Sequence, residues 1–373
     1  MKLLNPFPLS GEVPAEHFCN RRNEIEALTR AQTSGVNVTL VSLRRMGKSA
    51  LIHHVFRKRR KRGVACVYVD VYAATSHAEF VQSFASAVVR QAFGPWRTAS
   101  KQAMEFVKSI RAALHVSADG IPKVVFDSHF GKRAESLSEI VASLEGLKNG
   151  VVVAFDEFQQ VATFSDATTE TLVRSAMQHS SIRCIFAGSE QRQIGRIFAD
   201  PGRPLYASTE HLHLDAIERG EYRTFVEERL AKNNVVLDDD AFDDIYDRCE
   251  ARTFHIQSVA NRLYDSGLRR VRRAEVNTFI DTIIGSHEHL YYAQRRLLTP
   301  AQWNLVEAVA RERRVNEPLS EQFRQANGLG AASSVKRSLD ALLDRSVVYH
   351  ADGAYAIEDP FLAEWIRLKQ KEL

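Results

Sequence analysis

The sequence predicts an α/β chain: a parallel sheet covered by helices, then an all-helical stretch, then a small module of three helices and a hairpin. Three observations predict it. Short β-branched runs alternate with amphipathic segments over the first 216 residues, and such alternation makes parallel sheets. After about residue 216 the strand-like runs stop. Near the end, three helical patterns lead into alternating polarity around Asp352-Gly353, a turn signal between two strands.

Each element follows in order. Residues 36–41 are β-branched and apolar and run directly into SLRRMGKSALIHH; residues 64–71 form the second strand. Amphipathic helices are expected at 78–93 and 101–114. A short strand at 121–126 is entered through Asp119-Gly120, and a helix at 136–147 ends before Asn149-Gly150. The uninterrupted VVVAF of 151–155 suits a strand buried on both faces. Strands at 183–187 and 211–214 complete the sheet. Helices are expected at 219–232, 239–249, 255–269 and 274–284, with nothing else over 217–285. The last section starts with a helix at 299–312, capped by Thr299 with Pro300 in its first turn. Helices at 320–326 and 332–345 and a hairpin over 347–359 complete the layout of a winged helix. The expected division is 1–216, 217–285 and 286–373.

Composition excludes several classes. Of 373 residues, 45% are hydrophobic and 26% charged, which suits a soluble globular protein rather than a disordered one. No apolar run approaches the ~20 residues of a membrane span, so no membrane partner is expected. The segment MKLLNPFPLSGEVP is too short in apolar residues for a signal peptide. Cys19, Cys66, Cys184 and Cys249 lie far apart with no CxxC pair. That argues against a disulfide framework or zinc site and for the reducing cytoplasm. Lys plus Arg is 50 and Asp plus Glu 46, a net +4, too small an excess to mark a nucleic-acid binder. The cations are clustered, however, at 57–62 and at Arg269, Arg270, Arg272 and Arg273. Solvated helix ends account for such runs, and contact with nucleic acid is the alternative.

The sharpest chemical signal is Ser42-Leu43-Arg44-Arg45-Met46-Gly47-Lys48-Ser49. It fits the phosphate-loop pattern GxxxxGK[ST] at every fixed position but the first, where Ser42 replaces glycine. Backbone N–H groups of such a loop and of the following helix bind phosphate oxygens. Gly47 allows close backbone approach. Lys48 neutralises the β- and γ-phosphates, and Ser49 ligates Mg²⁺. The strand 151–155 ends in Asp156-Glu157, two carboxylates at the edge where parallel sheets bind ligands. Asp156 is the expected Mg²⁺ residue and Glu157 the group that orients or deprotonates the attacking water. The strand at 183–187 ends in Gly188-Ser189. Ser189 is either a sensor of the γ-phosphate or lytic water, or the cap of the next helix.

These motifs together resemble the archaeal-type ATPases of the STAND branch of P-loop NTPases, relatives of AAA+ proteins. The resemblance spans nearly the whole chain. Phe18-Cys19-Asn20-Arg21-Arg22-Asn23-Glu24 is similar to the family's F-x-G/N-R-x-x-E segment beside the adenine. Residues 43–49 are similar to PRRxGKTS, and Phe155-Asp156-Glu157-Phe158-Gln159 to DEFQ. Ala187-Gly188-Ser189 with Arg203-Pro204-Leu205-Tyr206 resembles the GS and RPFY stretch. Thr253-Phe254-His255-Ile256-Gln257 resembles GHPYYIQ of the helical lid, and Asp359-Pro360-Phe361 with Trp365 resembles DPFxxxW of the winged helix. Ser42 and Leu43 depart from the glycine and proline often found there. Arg252 stands where the family often has a phosphate-sensing histidine; it reads either as a phosphate contact or as a surface arginine.

The resemblance implies an ATP- and Mg²⁺-dependent ATPase whose nucleotide lies between core and lid. Arg21, Arg44, Arg45, Met46, Gly47, Lys48, Ser49, Ala50 and Arg252 would contact ATP or ADP. Ser49 and Asp156 would hold the metal, and Glu157, Lys48 and Ser189 would be catalytic. Turnover would be slow, since no arginine finger is evident. Arg192, Arg196 and Arg203 follow the sensor strand and would act in trans or, more ordinarily, pair within the chain. The implied role is a nucleotide-dependent switch acting on a protein partner or through self-association. The alternative is an ATP-regulated DNA-binding protein. Residues 286–373 hold 12 Lys/Arg and 12 Asp/Glu, net zero, and DNA-reading modules carry a basic footprint. DNA is therefore not the favoured partner.

Overall fold

Parallel pairing organises the first half of the chain. The computed structural model describes residues 5–93, 100–116, 121–126, 135–165, 168–189 and 191–371. Strands β1 (Val38–Val41), β2 (Ala65–Asp70), β3 (Val151–Asp156), β4 (Arg183–Gly188) and β5 (Glu210–His213) form one sheet in the order β2-β3-β4-β1-β5. Its pairings are all parallel. This order places β4 between the strand that feeds the phosphate loop and the strand that ends in Asp156. The parallel sheet that the sequence predicts thus has one strand inserted between its two motif-bearing strands.

Contacts divide the chain into two compact units. One comprises Arg21–Leu43 and Gly47–Asp215; the other comprises Met1–Asn20, Arg44–Met46 and Ala216–Leu373. In the first unit every residue of β3 is buried. Val67, Val69, Val153, Phe155, Cys184 and Phe186 share one core cluster with Phe80, Phe84, Phe158 and Phe198. Phe155 and Phe186 stack at 5.7 Å between centroids, a favourable offset for aromatic rings. Helix His77–Gln91 buries Phe80, Val81, Phe84 and Val88, and Ser76 caps it by accepting the Glu79 N–H. Helix Lys48–Arg60 begins after Gly47 (φ 94°, ψ 26°), a left-handed conformation that glycine adopts without strain. Cys66 and Cys184 are buried in this unit, and Cys19 and Cys249 in the other; none of the four is in a disulfide among the described residues.

Three expectations need correction. The helix expected at 101–114 stops at Ser109, where Arg111 takes φ 49°. Ala112–Val116 is instead a strand, antiparallel to Pro122–Phe126, so the strand expected at 121–126 is present and has a partner. Leu114 satisfies either period, and cross-strand pairing with Val124 decides the outcome. Over 217–285 the chain is not all helix: Val236–Leu237 and Arg270–Val271 form a short parallel pair. Correspondingly, the helix expected to reach 269 is Thr253–Tyr264, and the chain passes Gly267 at φ 75° on the way to that pair. Asp119-Gly120, read as a turn, lies outside the described residues.

In the second unit, helices Arg219–Leu230, Asp239–Arg248, Thr253–Tyr264 and Arg273–Ser286 precede Glu288–Arg296. The C-terminal module follows as expected. Helix Pro300–Glu312 has Thr299 at its N-cap, paired with Gln302 in a capping box. Glu321–Ala326, Ala332–Asp344 and the hairpin Val348–Ala351 with Ala354–Ile357 come next. Val315 bridges Tyr355 beside the hairpin. The closing helix, Pro360–Lys371, starts where Asp359 accepts the N–H groups of Phe361 and Leu362. Trp303, Leu339, Leu342, Phe361 and Trp365 are buried in one core with Tyr222, Phe242 and Ile256.

Candidate nucleotide site

Parallel register brings the chemistry of the first unit to one sheet edge. Val41, the last residue of β1, pairs with Gly188 of β4, and Asp70 of β2 pairs with Asp156 of β3. Ser42, Asp156, Glu157 and Ser189 therefore leave the sheet together at the C-terminal ends of their strands, where open parallel sheets bind ligands. Lys48 is buried, and its Nζ donates to Ser42 Oγ at 3.0 Å. Ser42 thus does more than replace a glycine: it holds the lysine amine over the loop. Ser49 Oγ donates to Asp156 Oδ2 at 2.5 Å. A hydroxyl and a carboxylate this close form an oxygen donor pair of the kind a hard cation takes.

Asp156 has two further partners. Its Oδ1 accepts the Glu157 N–H at 3.0 Å, and its Oδ2 accepts Tyr68 OH at 2.5 Å. Tyr68 lies on the same face of the sheet as Asp156, diagonal to it across the pairing of β2 with β3. Burial first and the Asp156 charge second push the Tyr68 phenol far up, so it is a fixed donor. Sequence reasoning missed Tyr68; its only signal is its register two residues before Asp70. The Asp70 carboxyl is itself raised by desolvation and by the neighbouring Asp156 and Glu157, against the Tyr72 N–H that lowers it.

Glu157 sits at φ 53°, the left-handed corner between β3 and the turn Phe158–Thr163. Ser189 Oγ donates to its Oε2 at 2.8 Å, and Gln159 Nε2 donates to the same oxygen. Ser189 therefore pairs with the carboxylate expected to act on water. Gln159 reaches it because Gly188 has no side chain: a Cβ there would collide with Gln159 Oε1 and Ile194. Among the remaining expected contacts, Gly47 and Ala50 flank Lys48 at the start of its helix. Arg21 is buried at the N-cap of helix Arg22–Thr33, and its guanidinium donates to Glu24 and to the Asp215 carbonyl. Arg203 pairs with Glu170, Nε to Oε2 at 3.0 Å, the intramolecular outcome. Arg196 is exposed.

The middle of the phosphate loop belongs to the second unit. The carbonyls of Arg44, Arg45 and Met46 accept, in turn, from Arg252 Nη1 at 3.3 Å, Phe254 N at 3.1 Å and Thr253 Oγ1 at 3.2 Å. Glu358 Oε1 accepts the Arg44 N–H at 2.9 Å, and Asp359 Oδ2 accepts Arg45 Nη1 at 3.1 Å. Arg45 also lies 5.1 Å from the Phe254 ring. Arg252 is only 1% exposed and pairs with Glu358 at 3.5 Å, while its Nη2 is buried with no acceptor. The reading of Arg252 as a surface arginine is thereby corrected: it is a buried cation with a donor to spare.

His255 completes this group. Its Nε2 lies 3.2 Å from Asp359 Oδ1 and 3.1 Å from Arg45 Nη1, and its Nδ1 is buried without a partner; protonated at Nε2 the ring donates to Asp359, and unprotonated there it accepts from Arg45. Burial pushes the imidazole below its usual range despite Asp359. Burial would raise the Asp359 carboxyl, but His255, Arg45 and the Phe361 N–H hold it well below the carboxylate range. Both groups thus bind protons more readily in the unfolded chain. Stability from His255 is present above about pH 6.5 and is lost as pH falls below it. Thermal unfolding of the chain should show Tm falling between pH 7 and 5, with a smaller fall in His255→Gln. Equal falls would exclude His255 as the proton site.

A family model described as "Probable winged helix domain" matches residues 289–368. Comparison with curated proteins gives no match. Among solved structures, a Walker-type ATPase of Pyrococcus abyssi superposes with a TM-score of 0.71 at 16% identity, over 97% of this chain and 99% of that one. The Aeropyrum pernix ORC2 protein, in ADPNP–ADP complexes, gives 0.58 at 16% identity over 98% of each chain. The A. pernix ORC1 protein in complex with DNA gives 0.53 at 14% identity, over 99% of this chain and 98% of that one. At such identities the likeness is one of architecture, and the architecture is that of a P-loop ATPase core whose chain ends in a winged helix.

Proposed function

We propose that this chain binds Mg-ATP, hydrolyses it slowly, and acts as a nucleotide-dependent switch on a protein partner. The observation that carries the reading is the Ser49–Asp156 hydrogen bond of 2.5 Å, with buried Lys48 on the same loop. Ser49 and Asp156 fit a hard cation by donor type, and Lys48 with the loop amides fits phosphate. When bound, Mg²⁺ supplies charge neutralisation at the phosphates. The chain's own residues do the rest. Lys48 balances phosphate charge, Tyr68 and the Glu157 N–H orient Asp156, and Ser189 and Gln159 aim Glu157 at water. A STAND-branch assignment and a cytoplasmic location belong to the same reading; they rest on the RRMGKS, DEFQ and DPF segments and on the scattered cysteines.

Titration calorimetry with and without Mg²⁺ tests it. Wild-type ATP affinity should rise with Mg²⁺, and Asp156→Asn should lose most of that rise, about 10-fold or more, because a charged metal ligand becomes neutral. An unchanged Mg²⁺ effect in a folded Asp156→Asn protein would remove Asp156 from the metal site.

A second reading, nucleotide-regulated DNA binding, draws on the A. pernix ORC1 structure, which is a complex with DNA. The winged helix here offers it little. Lys336 on the helix Ala332–Asp344 pairs with Asp340 at 3.3 Å, which neutralises the face a reading helix would present.

A further inference from the structure

We propose that the cleft between helices Arg22–Thr33 and Lys48–Arg60 binds the sugar–phosphate backbone of a nucleic-acid duplex, at a site apart from the nucleotide. The cleft holds about 400 Å³, and Arg30, Lys58, Arg59 and Arg62 line it against a single carboxylate, Glu26. None of these five side chains takes part in an ion pair among the described residues. Arg59 Nε is buried without any hydrogen-bond acceptor.

Several cations elsewhere in the chain have acidic partners. In the second basic cluster, Arg270 pairs with Asp238 at 2.5 Å and Arg273 with Asp244 at 3.0 Å. Arg219, Arg223, Arg248 and Lys336 also have acidic partners. Helix dipoles do not account for the cleft. Each helix end carries roughly half a negative charge. Two ends and Glu26 amount to about −2, against four cations. The surplus, with Lys58 and Arg62 four residues apart and exposed, favours an external anion.

The lining also selects the ligand. No aromatic ring lines the cleft, so the stacking that holds single strands is missing. Thr29 and Thr33 commit their hydroxyl protons to helix carbonyls, leaving no hydroxyl donor for base edges. What the lining chiefly offers a duplex is cationic contact to its phosphates. The location separates this cleft from the nucleotide. Lys58, the first residue of helix Lys48–Arg60 to line the cleft, is ten residues from Lys48, a rise of about 15 Å.

Fluorescence anisotropy of the full-length chain with a labelled 20-base-pair duplex tests the proposal. Binding should weaken on the order of 10²-fold between 50 and 200 mM NaCl, as three to four phosphate contacts require. Arg59→Glu with Arg62→Glu should weaken it at least 10-fold at 50 mM. Lys336→Glu with Arg337→Glu should change it less than 2-fold. Arg30→Gln, from the other helix, should weaken it several-fold and keeps the test open if charge reversal prevents folding. ATP affinity, measured on each variant, should stay at the wild-type value, so a failed nucleotide site is distinguishable from a failed cleft. Absence of duplex binding at 50 mM, loss through the winged-helix pair alone, or equal binding of a single strand would overturn the proposal. Equally tight binding of poly-glutamate would overturn it in favour of an acidic protein.

Discussion

Replacing Glu157 by glutamine leaves ATP binding in place and lowers turnover by about 10²- to 10⁴-fold, the usual contribution of a positioned proton acceptor. The geometry makes the substitution more than a loss of charge. Both Ser189 Oγ and Gln159 Nε2 donate to the Glu157 carboxylate. A glutamine still offers one oxygen to these two donors, but its NH₂ cannot accept a proton from water. Single-turnover hydrolysis and calorimetric ATP binding on the same preparation separate the two effects. A wild-type rate no faster than that of Glu157→Gln would mean that the chain binds nucleotide without hydrolysing it.

Lys48→Ala produces the larger effect on binding, an affinity loss on the order of 10²-fold or more. A charge-assisted hydrogen bond contributes roughly 1.5–3 kcal/mol, and the lysine is placed to make more than one to the phosphates. The amine is buried at 6% exposure and held by Ser42, so it is already dehydrated and positioned before ATP arrives. Alanine also leaves Ser42 Oγ without its donor, and the loop amides alone must then balance the phosphate charge. Unchanged ATP affinity in a folded Lys48→Ala protein would refute the phosphate-loop reading altogether.

What could be read from the chain in advance was what local pattern encodes. VVVAF carries its own burial on both sides, and GKS after a β-branched run carries its own loop and helix start. Thr299-Pro300 and Asp352-Gly353 announce a cap and a turn that the structure contains. What stayed hidden depends on residues far apart. Tyr68 reaches Asp156 across 88 positions, and Glu358 reaches Arg44 across 314. Nothing near Arg252 distinguishes a buried arginine from a surface one, because its burial comes from Glu358 and Tyr349. Leu114 and its neighbours fit helix and strand alike, and Val124 on the partner strand settles them. The two-residue strands at 236–237 and 270–271 are shorter than any periodicity can register.

The cysteines make the chain its own reporter of local opening. Two lie in each unit, all buried and none in a disulfide among the described residues. Burial pushes the thiols of Cys66 to about 11 and Cys184 to about 12, and raises that of Cys249 as well. Thiolate is the reactive form, so the native chain should resist maleimide on both counts. Modification then proceeds only through opening, and its rate measures the free energy of that opening. Peptide mapping of the label would time the sheet unit by Cys66 and Cys184 and the winged-helix unit by Cys249. The steadiness of each half, with and without nucleotide, can thus be followed in the unmutated protein.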